Sequence, residues 1–134
     1  MTQRTFLDRS AILGASDITI EEIEIPEWGG FVRVKALTAA QRDQFEADSV
    51  QKKGKDTSVN MANIRARLVA LTVVDAQGDP MFTRADIHAL GDKSGSALGR
   101  IWDVATRLSG LSDSDIEELT KNSETDQSGD SNSV

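Results

Sequence analysis

The sequence predicts an α+β fold: a mostly helical single domain with an N-terminal β-hairpin and a disordered C-terminal tail. Three observations predict it. Ile23 and Ile25 alternate with Glu22 and Glu24, and Val32 and Val34 alternate with Arg33 and Lys35, on either side of Pro26-Glu27-Trp28-Gly29-Gly30; period-two patterning around a Pro- and Gly-bearing loop is the mark of a hairpin. Two later stretches repeat apolar residues at three- and four-residue spacing, Met61, Ile64, Leu68 and Leu71 in one and Leu98, Ile101, Trp102, Ala105 and Leu108 in the other, which is the stripe of an amphipathic helix. From Asn122 onward the chain reads NSETDQSGDSNSV, with one apolar residue in 13, and such a segment cannot repay its ordering entropy. The expected division is a compact unit over 1–121 and a disordered acidic tail over 122–134; a chain of 134 residues suits one modest core.

Taken in order, Phe6, Leu7, Ile12 and Leu13 give the leading segment a short helix with an apolar face, and Gly14 is its stop. Ile18 and Ile20 have the opposite parity to Ile23 and Ile25, so a bulge or a strand starting near Glu22 is expected. Glu-bearing and Arg/Lys-bearing positions of the hairpin can then face each other across the strands. Thr38-Ala39-Ala40-Gln41 has the form of a capping box, opening a helix over about 39–51 whose only large apolar anchor is Phe45. Lys52 to Ser58 (KKGKDTS) reads as a solvated polar loop with a local basic cluster.

The central core helix is placed over Met61–Val74, with Val69 and Val73 widening its stripe and Arg65 and Arg67 at its edge. Asp75 to Pro80 (DAQGDP) is a turn, since Asp and Gly tolerate special backbone angles and Pro cannot continue a helix. Thr83 is the N-cap of a short helix carrying Ile87 and Leu90, with Asp86 in its first turn and Gly91 at its close. A second strong helix runs from Ser94 to Leu108 and is expected to pack on the first. Ser112 and Asp115 then open a last short helix anchored by Ile116 and Leu119.

Composition excludes several functions. There is no cysteine, hence no disulfide framework and no thiolate chemistry, and the single histidine removes the usual zinc ligand sets. The net charge of -7 argues against nonspecific nucleic-acid binding. That charge is uneven: residues 1–59 carry 8 basic and 10 acidic groups, 60–107 carry 6 and 5, and 108–134 carry 1 and 7, so the C-terminal end is an acidic appendage. No apolar run approaches the roughly 20 residues that span a bilayer, and the first residues lack a signal-peptide apolar stretch. A soluble intracellular protein is expected.

No constellation carries catalysis. Gly91-Asp92-Lys93-Ser94 resembles the end of a phosphate loop, but it lacks the upstream glycine and follows a helix. Asp113, Asp115, Glu117 and Glu118 lack the glycine and terminal glutamate of a calcium loop and read as helix N-terminal charge. His88 has no companion base or nucleophile. No catalytic residue, metal ligand or cofactor is assigned. Trp102 belongs to a helical stripe and is expected in the core, whereas Trp28 sits in the hairpin loop, where aromatics serve either packing or binding.

The ordered motifs IEIPEWGGFVRVKALT, RDQFE, ARLVALTVVDAQGDPMFT, DIHALGDKSGSAL and LSGLS, together spanning about residues 5 to 122, resemble the tail assembly chaperones of long-tailed bacteriophages and prophages. The Pro-Glu-Trp-Gly-Gly loop and the turn through Val74-Asp75 to Met81-Phe82 carry most of that resemblance. It implies a non-enzymatic assembly factor of the host cytoplasm, absent from the finished virion, that coats the long helical tape measure protein until tail tube subunits polymerise around it. In that family a ribosomal frameshift often yields a longer form whose extension recruits the tube protein, and self-association is compatible with the role. No nucleic-acid or membrane partner is implied.

The partner-binding candidates are Trp28, Phe31 and Phe45, whose local patterning leaves them available for an apolar surface beside the core. Two rival readings are a structural head–tail or tail-completion component of the virion, and a nucleic-acid-binding regulator built on Lys52–Lys55 with Arg65 and Arg67. The second is opposed by the net charge.

Overall fold

In a computed structural model of the chain, describing residues 4–53, 56–59, 63–112 and 115, the hairpin forms in the expected place. Strand β1 (Ile20–Ile25) pairs antiparallel with β2 (Gly30–Lys35) through Ile23 opposite Val32 and Glu22 opposite Arg33. The period-two pattern sends Ile23, Ile25, Val32 and Val34 to the inner face, with Ile25 and Val34 fully buried. The pairing from Ile20 to Ile25 is continuous. The change of parity at Ile20 is therefore met without a bulge: its side chain lies on the outer face and stays exposed. Across that outer face Arg33 reaches Glu22 at 3.8 Å, the expected charge pairing.

The connection is a 3-10 turn, Pro26–Trp28, closed by Gly29 at φ 71°, in the left-handed region that favours glycine. Two ion pairs clamp the hairpin to the last long helix, Glu27 to Arg100 at 2.9 Å and Glu21 to Arg107.

Helix α1 (Arg9–Leu13) precedes the hairpin, its N-cap Asp8 accepting from the Ala11 amide at 2.9 Å. Helix α2 (Ala39–Asp48) opens with the predicted capping box: Thr38 Oγ1 accepts from the Gln41 amide and the Gln41 side chain accepts from the Thr38 amide. It ends earlier than expected, at Asp48, where Ser49 turns its hydroxyl back onto the Phe45 carbonyl. Two short strands follow, β3 (Val50–Lys53) and β4 (Asp56–Val59), paired as a second hairpin, where a polar loop was expected. Their register places Val50 opposite Val59 and Lys53 opposite Asp56.

Helix α3 occupies Ile64–Thr72; Met61, the first member of its predicted stripe, lies outside the described residues. Val73 and Val74 leave the helix and form β5, which joins β2 antiparallel, so the sheet order is β1-β2-β5. This corrects the assignment of Val73 to a helical face: two consecutive β-branched residues prefer an extended backbone. The turn after it is built as the sequence specified, with the Asp75 carboxylate accepting from the Gln77 and Asp79 amides and Gly78 at φ 83°.

Thr83 and Asp86 cap a 3-10 turn at Arg84–Asp86 that continues into α4 (Ile87–Gly91). Helix α5 (Gly95–Leu108) begins at the Ser94 cap and buries Ala97, Leu98, Ile101 and Ala105 against α3 and the inner face of the sheet. Trp102 is partly buried against this core, its ring 6.3 Å from that of Phe45. The architecture is α+β, with helices packed on one face of a small antiparallel sheet. Ser112 and Asp115 exchange the hydrogen bonds of a cap, 2.8 Å from the Ser112 amide to the Asp115 carboxylate. Ile116, Leu119 and the acidic tail 122–134 lie outside the described residues.

Candidate interaction surfaces

Folding an amphipathic chain buries its large apolar side chains, so those left in water are informative when they cluster. Four cluster on the N-terminal arm. Phe6 is 87% exposed, Leu7 63%, Ile12 58% and Leu13 68%, and α1 buries none of its residues. The expected apolar face exists, but it is not turned onto this chain's own core. Periodicity could not reveal this, since a stripe reads the same whether its partner is the same chain or another molecule.

A second cluster stands at the tip of the first hairpin. Phe31 is 69% exposed because β2 places it on the outer face of the sheet, opposite Glu24. Trp28, three residues away in the 3-10 turn, is 42% exposed. The turn is joined to α5 by the Glu27–Arg100 ion pair. Two hydrogen bonds, at 2.9 and 3.1 Å, join the Arg100 Nε to the two carboxylate oxygens. The Glu27 carboxyl is held below its ordinary range, first by its backbone hydrogen bond and then by Arg100. Trp28 and Phe31, both named as candidates from the sequence, are each exposed at this end of the hairpin.

Phe45 is not part of that surface. It is 1% exposed, in the core under α2, with its ring tilted against Trp102. As the one large apolar residue of an otherwise polar helix, it is what pins α2 to the domain. Its candidacy as a partner-binding residue is corrected on that ground.

Arg67 departs from expectation in the opposite sense. Placed at a helix edge by the sequence, it is only 9% exposed. Its guanidinium donates to Ser49 Oγ at 3.2 Å. Burial holds its pKa below the usual arginine range, an effect that the neighbouring Asp48 opposes. It lies at the floor of a cleft of about 200 Å³ between α2 and the 80–87 segment. The apolar lining comes from Phe45, Leu71, Phe82 and Ile87, and the Arg84–Asp48 ion pair at 3.2 Å sits at the rim. Arg65, by contrast, is exposed, with its guanidinium 5.9 Å from the centre of the Trp102 ring.

The chemistry-bearing residues stay apart. His88 is exposed on α4. Among the described residues no three His, Cys, Asp or Glu side chains converge as a metal site, and no helix is long and apolar enough to cross a membrane. Lys93 and Arg65 border a depression of about 190 Å³ at the start of α3 and α5, lined among the described residues also by Asn63, Ile64 and Leu98. Compared with known protein families, curated proteins and solved structures, the chain matches no family model, no curated protein and no solved structure.

Proposed function

We propose that this chain is a non-enzymatic tail assembly chaperone of a long-tailed phage or prophage, which binds the tape measure protein and keeps it soluble in the host cytoplasm during tail morphogenesis. The motif resemblance supplies the identity of the partner. The observation that carries the reading is the exposed apolar surface, formed by Phe6, Leu7, Ile12 and Leu13 on the arm and by Trp28 and Phe31 at the hairpin tip. A long helical polypeptide with apolar stripes is kept from aggregating by a molecule that presents apolar side chains on one side and charge on the other. The net charge of -7 gives the coated complex the self-repulsion that keeps it dispersed. Recruitment of the tail tube protein by a longer, frameshifted form, and self-association along the partner, belong to the same reading.

The test is co-expression with the long, coiled-coil-like protein encoded just downstream, followed by pull-down and size-exclusion chromatography with light scattering. The expected result is transfer of that partner into the soluble fraction with many copies of this chain bound. An insoluble partner, together with a closed ring formed by this chain alone, would favour a head–tail or tail-completion component instead. Phe6→Ser with Leu13→Ser, and separately Trp28→Ser with Phe31→Ser, then tell which surface grips.

A further inference from the structure

We propose that the open edge of β1 is a strand-addition site for another protein, and that it takes an extended segment in which basic and apolar residues alternate. The register defines the edge. β1 is the outermost strand of its sheet, and just before it the Ala36 amide donates to the Thr19 carbonyl at 2.9 Å. Bonded pairs in an antiparallel ladder recur at every second residue, so Glu21, Ile23 and Ile25 turn their amides and carbonyls toward β2. Those of Ile20, Glu22 and Glu24 point the other way, and among the described residues no strand meets them. An unpaired edge of this kind is a template for a further strand.

The side chains select the strand. On the outer face this edge carries Glu22 and Glu24, both exposed. A second copy adding its own β1 would bring glutamates beside glutamates, which disfavours it. The occupied edge of β1 shows what chemistry it accepts: β2 sets Val32 and Val34 on the inner face and Arg33 and Lys35 on the outer, with Arg33 opposite Glu22. Glu24 stands opposite Phe31 and has no ion pair among the described residues.

The inner face beside the edge supplies the apolar half. Arg100, Val104 and Arg107 are spaced i, i+4, i+7 on α5 and share one stripe. The two arginines reach Glu27 and Glu21, which places Val104 between them along β1. Val104 and Ile23 are only partly buried against the core, so an apolar side chain of an added strand has surface left to cover. A helix spends its backbone groups on its own ladder and cannot join a sheet edge. This partner is therefore a different one from a helical polypeptide held by the arm and the hairpin tip.

The probes are two short fluorescein-labelled peptides, one alternating Lys with Val and the other Glu with Val, titrated with the full chain by fluorescence anisotropy at physiological ionic strength. The Lys–Val peptide is expected to bind about tenfold more tightly, from the cross-strand charge pairs it gains and the repulsions its counterpart meets. Glu22→Lys combined with Glu24→Lys, both at exposed positions, is expected to abolish that preference. Amide hydrogen exchange on the parent chain separates strand addition from attraction to its net charge of -7. At about 90% occupancy the Glu22 and Glu24 amides should exchange about tenfold more slowly, while those of Glu21 and Ile23, already bonded to β2, stay as they were. Equal affinities, a preference that survives the lysine substitutions, or binding that leaves exchange at Glu22 and Glu24 untouched would each overturn the proposal. So would protection of those two amides that grows with protein concentration in the absence of peptide, which would assign the edge to a second copy.

Discussion

Phe45 and Phe31 are chemically identical, and both lie where local patterning made a surface role reasonable, yet truncating them should have opposite consequences. Phe45 is 1% exposed and packs against Trp102 and the α3 side chains. Phe45→Ala removes a buried aromatic ring and leaves a cavity that the α2–α3 contact can only partly collapse, a change that costs about 3–5 kcal/mol. For a chain of this length that corresponds to a fall in Tm of about 10–20 °C. Phe31→Ala removes a side chain that is 69% exposed, and its effect on stability should stay within about 0.5 kcal/mol. Thermal and urea unfolding followed by circular dichroism measures both, and partner capture is read in parallel. The expected pattern is loss of capture at full stability for Phe31→Ala, and loss of stability for Phe45→Ala with capture restored at low temperature where the domain remains folded. A Phe45→Ala protein as stable as its parent would refute the core assignment. A destabilised Phe31→Ala protein would show that the hairpin's outer face is covered.

Three further outcomes test the local physics. Gly29→Ala should cost about 1–2 kcal/mol, because φ is 71° there and nothing lies near the added methyl group except its own backbone. Gly30→Ala, equally open but at ordinary φ, should be close to neutral, and equal midpoints in denaturant would show that strain at Gly29 is absent. Thr38→Ala breaks the capping box of α2 and should cost about 1 kcal/mol, with Thr38→Ser recovering most of it; a Ser variant no better than Ala would show that the hydroxyl does not cap. Below pH 5 the Tm should fall. Glu27 is held below its ordinary 4.5 by its backbone hydrogen bond and Arg100, and Asp115 below its ordinary 3.8 by the Ser112 amide and hydroxyl. A lowered pKa in the folded state stabilises above the unfolded-state value, and that stabilisation disappears as pH drops through the folded value. Glu27→Gln should flatten this acid limb, and an unchanged limb would assign it to other carboxylates.

The parts of the fold that were legible in the sequence are those whose information is local. Alternation around Pro26–Gly30 set the hairpin and its inner face, Thr38 and Ser94 set helix starts, and Asp75 and Gly78 set a turn, because each depends on residues within a few positions. Where two local signals competed, the reading went astray. Val73 satisfies the helical spacing of α3, but as half of a Val-Val pair beside an unpaired strand it gains more by joining β2. The second hairpin was hidden because lysines and a glycine dominate 52–58, while its strand signal is confined to Val50, Thr57 and Val59. Arg67 has a polar label but a long apolar stem, and burial is available to it because Ser49 accepts its guanidinium. Nothing in the neighbourhood of Arg67 in sequence encodes Ser49, which is 18 residues away.

The candidate surfaces show the same limit from the other side. Exposed single apolar residues are ordinary, so Met81 at 52% exposure needs no account. The arm differs because α1 has five residues, a local cap at Asp8 and no buried side chain. A helix that short is weak in water, since nucleation costs more than one turn of hydrogen bonds returns. Its cap and its Gly14 stop shape a helix that gains no buried side chain among the described residues. The described residues leave Ile12 and Leu13 exposed, and burying them against a further apolar surface would contribute about 25 cal/mol per Å² of apolar area toward ordering the arm. The sequence carries an apolar stripe in both α5 and α1. Only the three-dimensional fold separates the stripe buried in the core from the stripe left exposed.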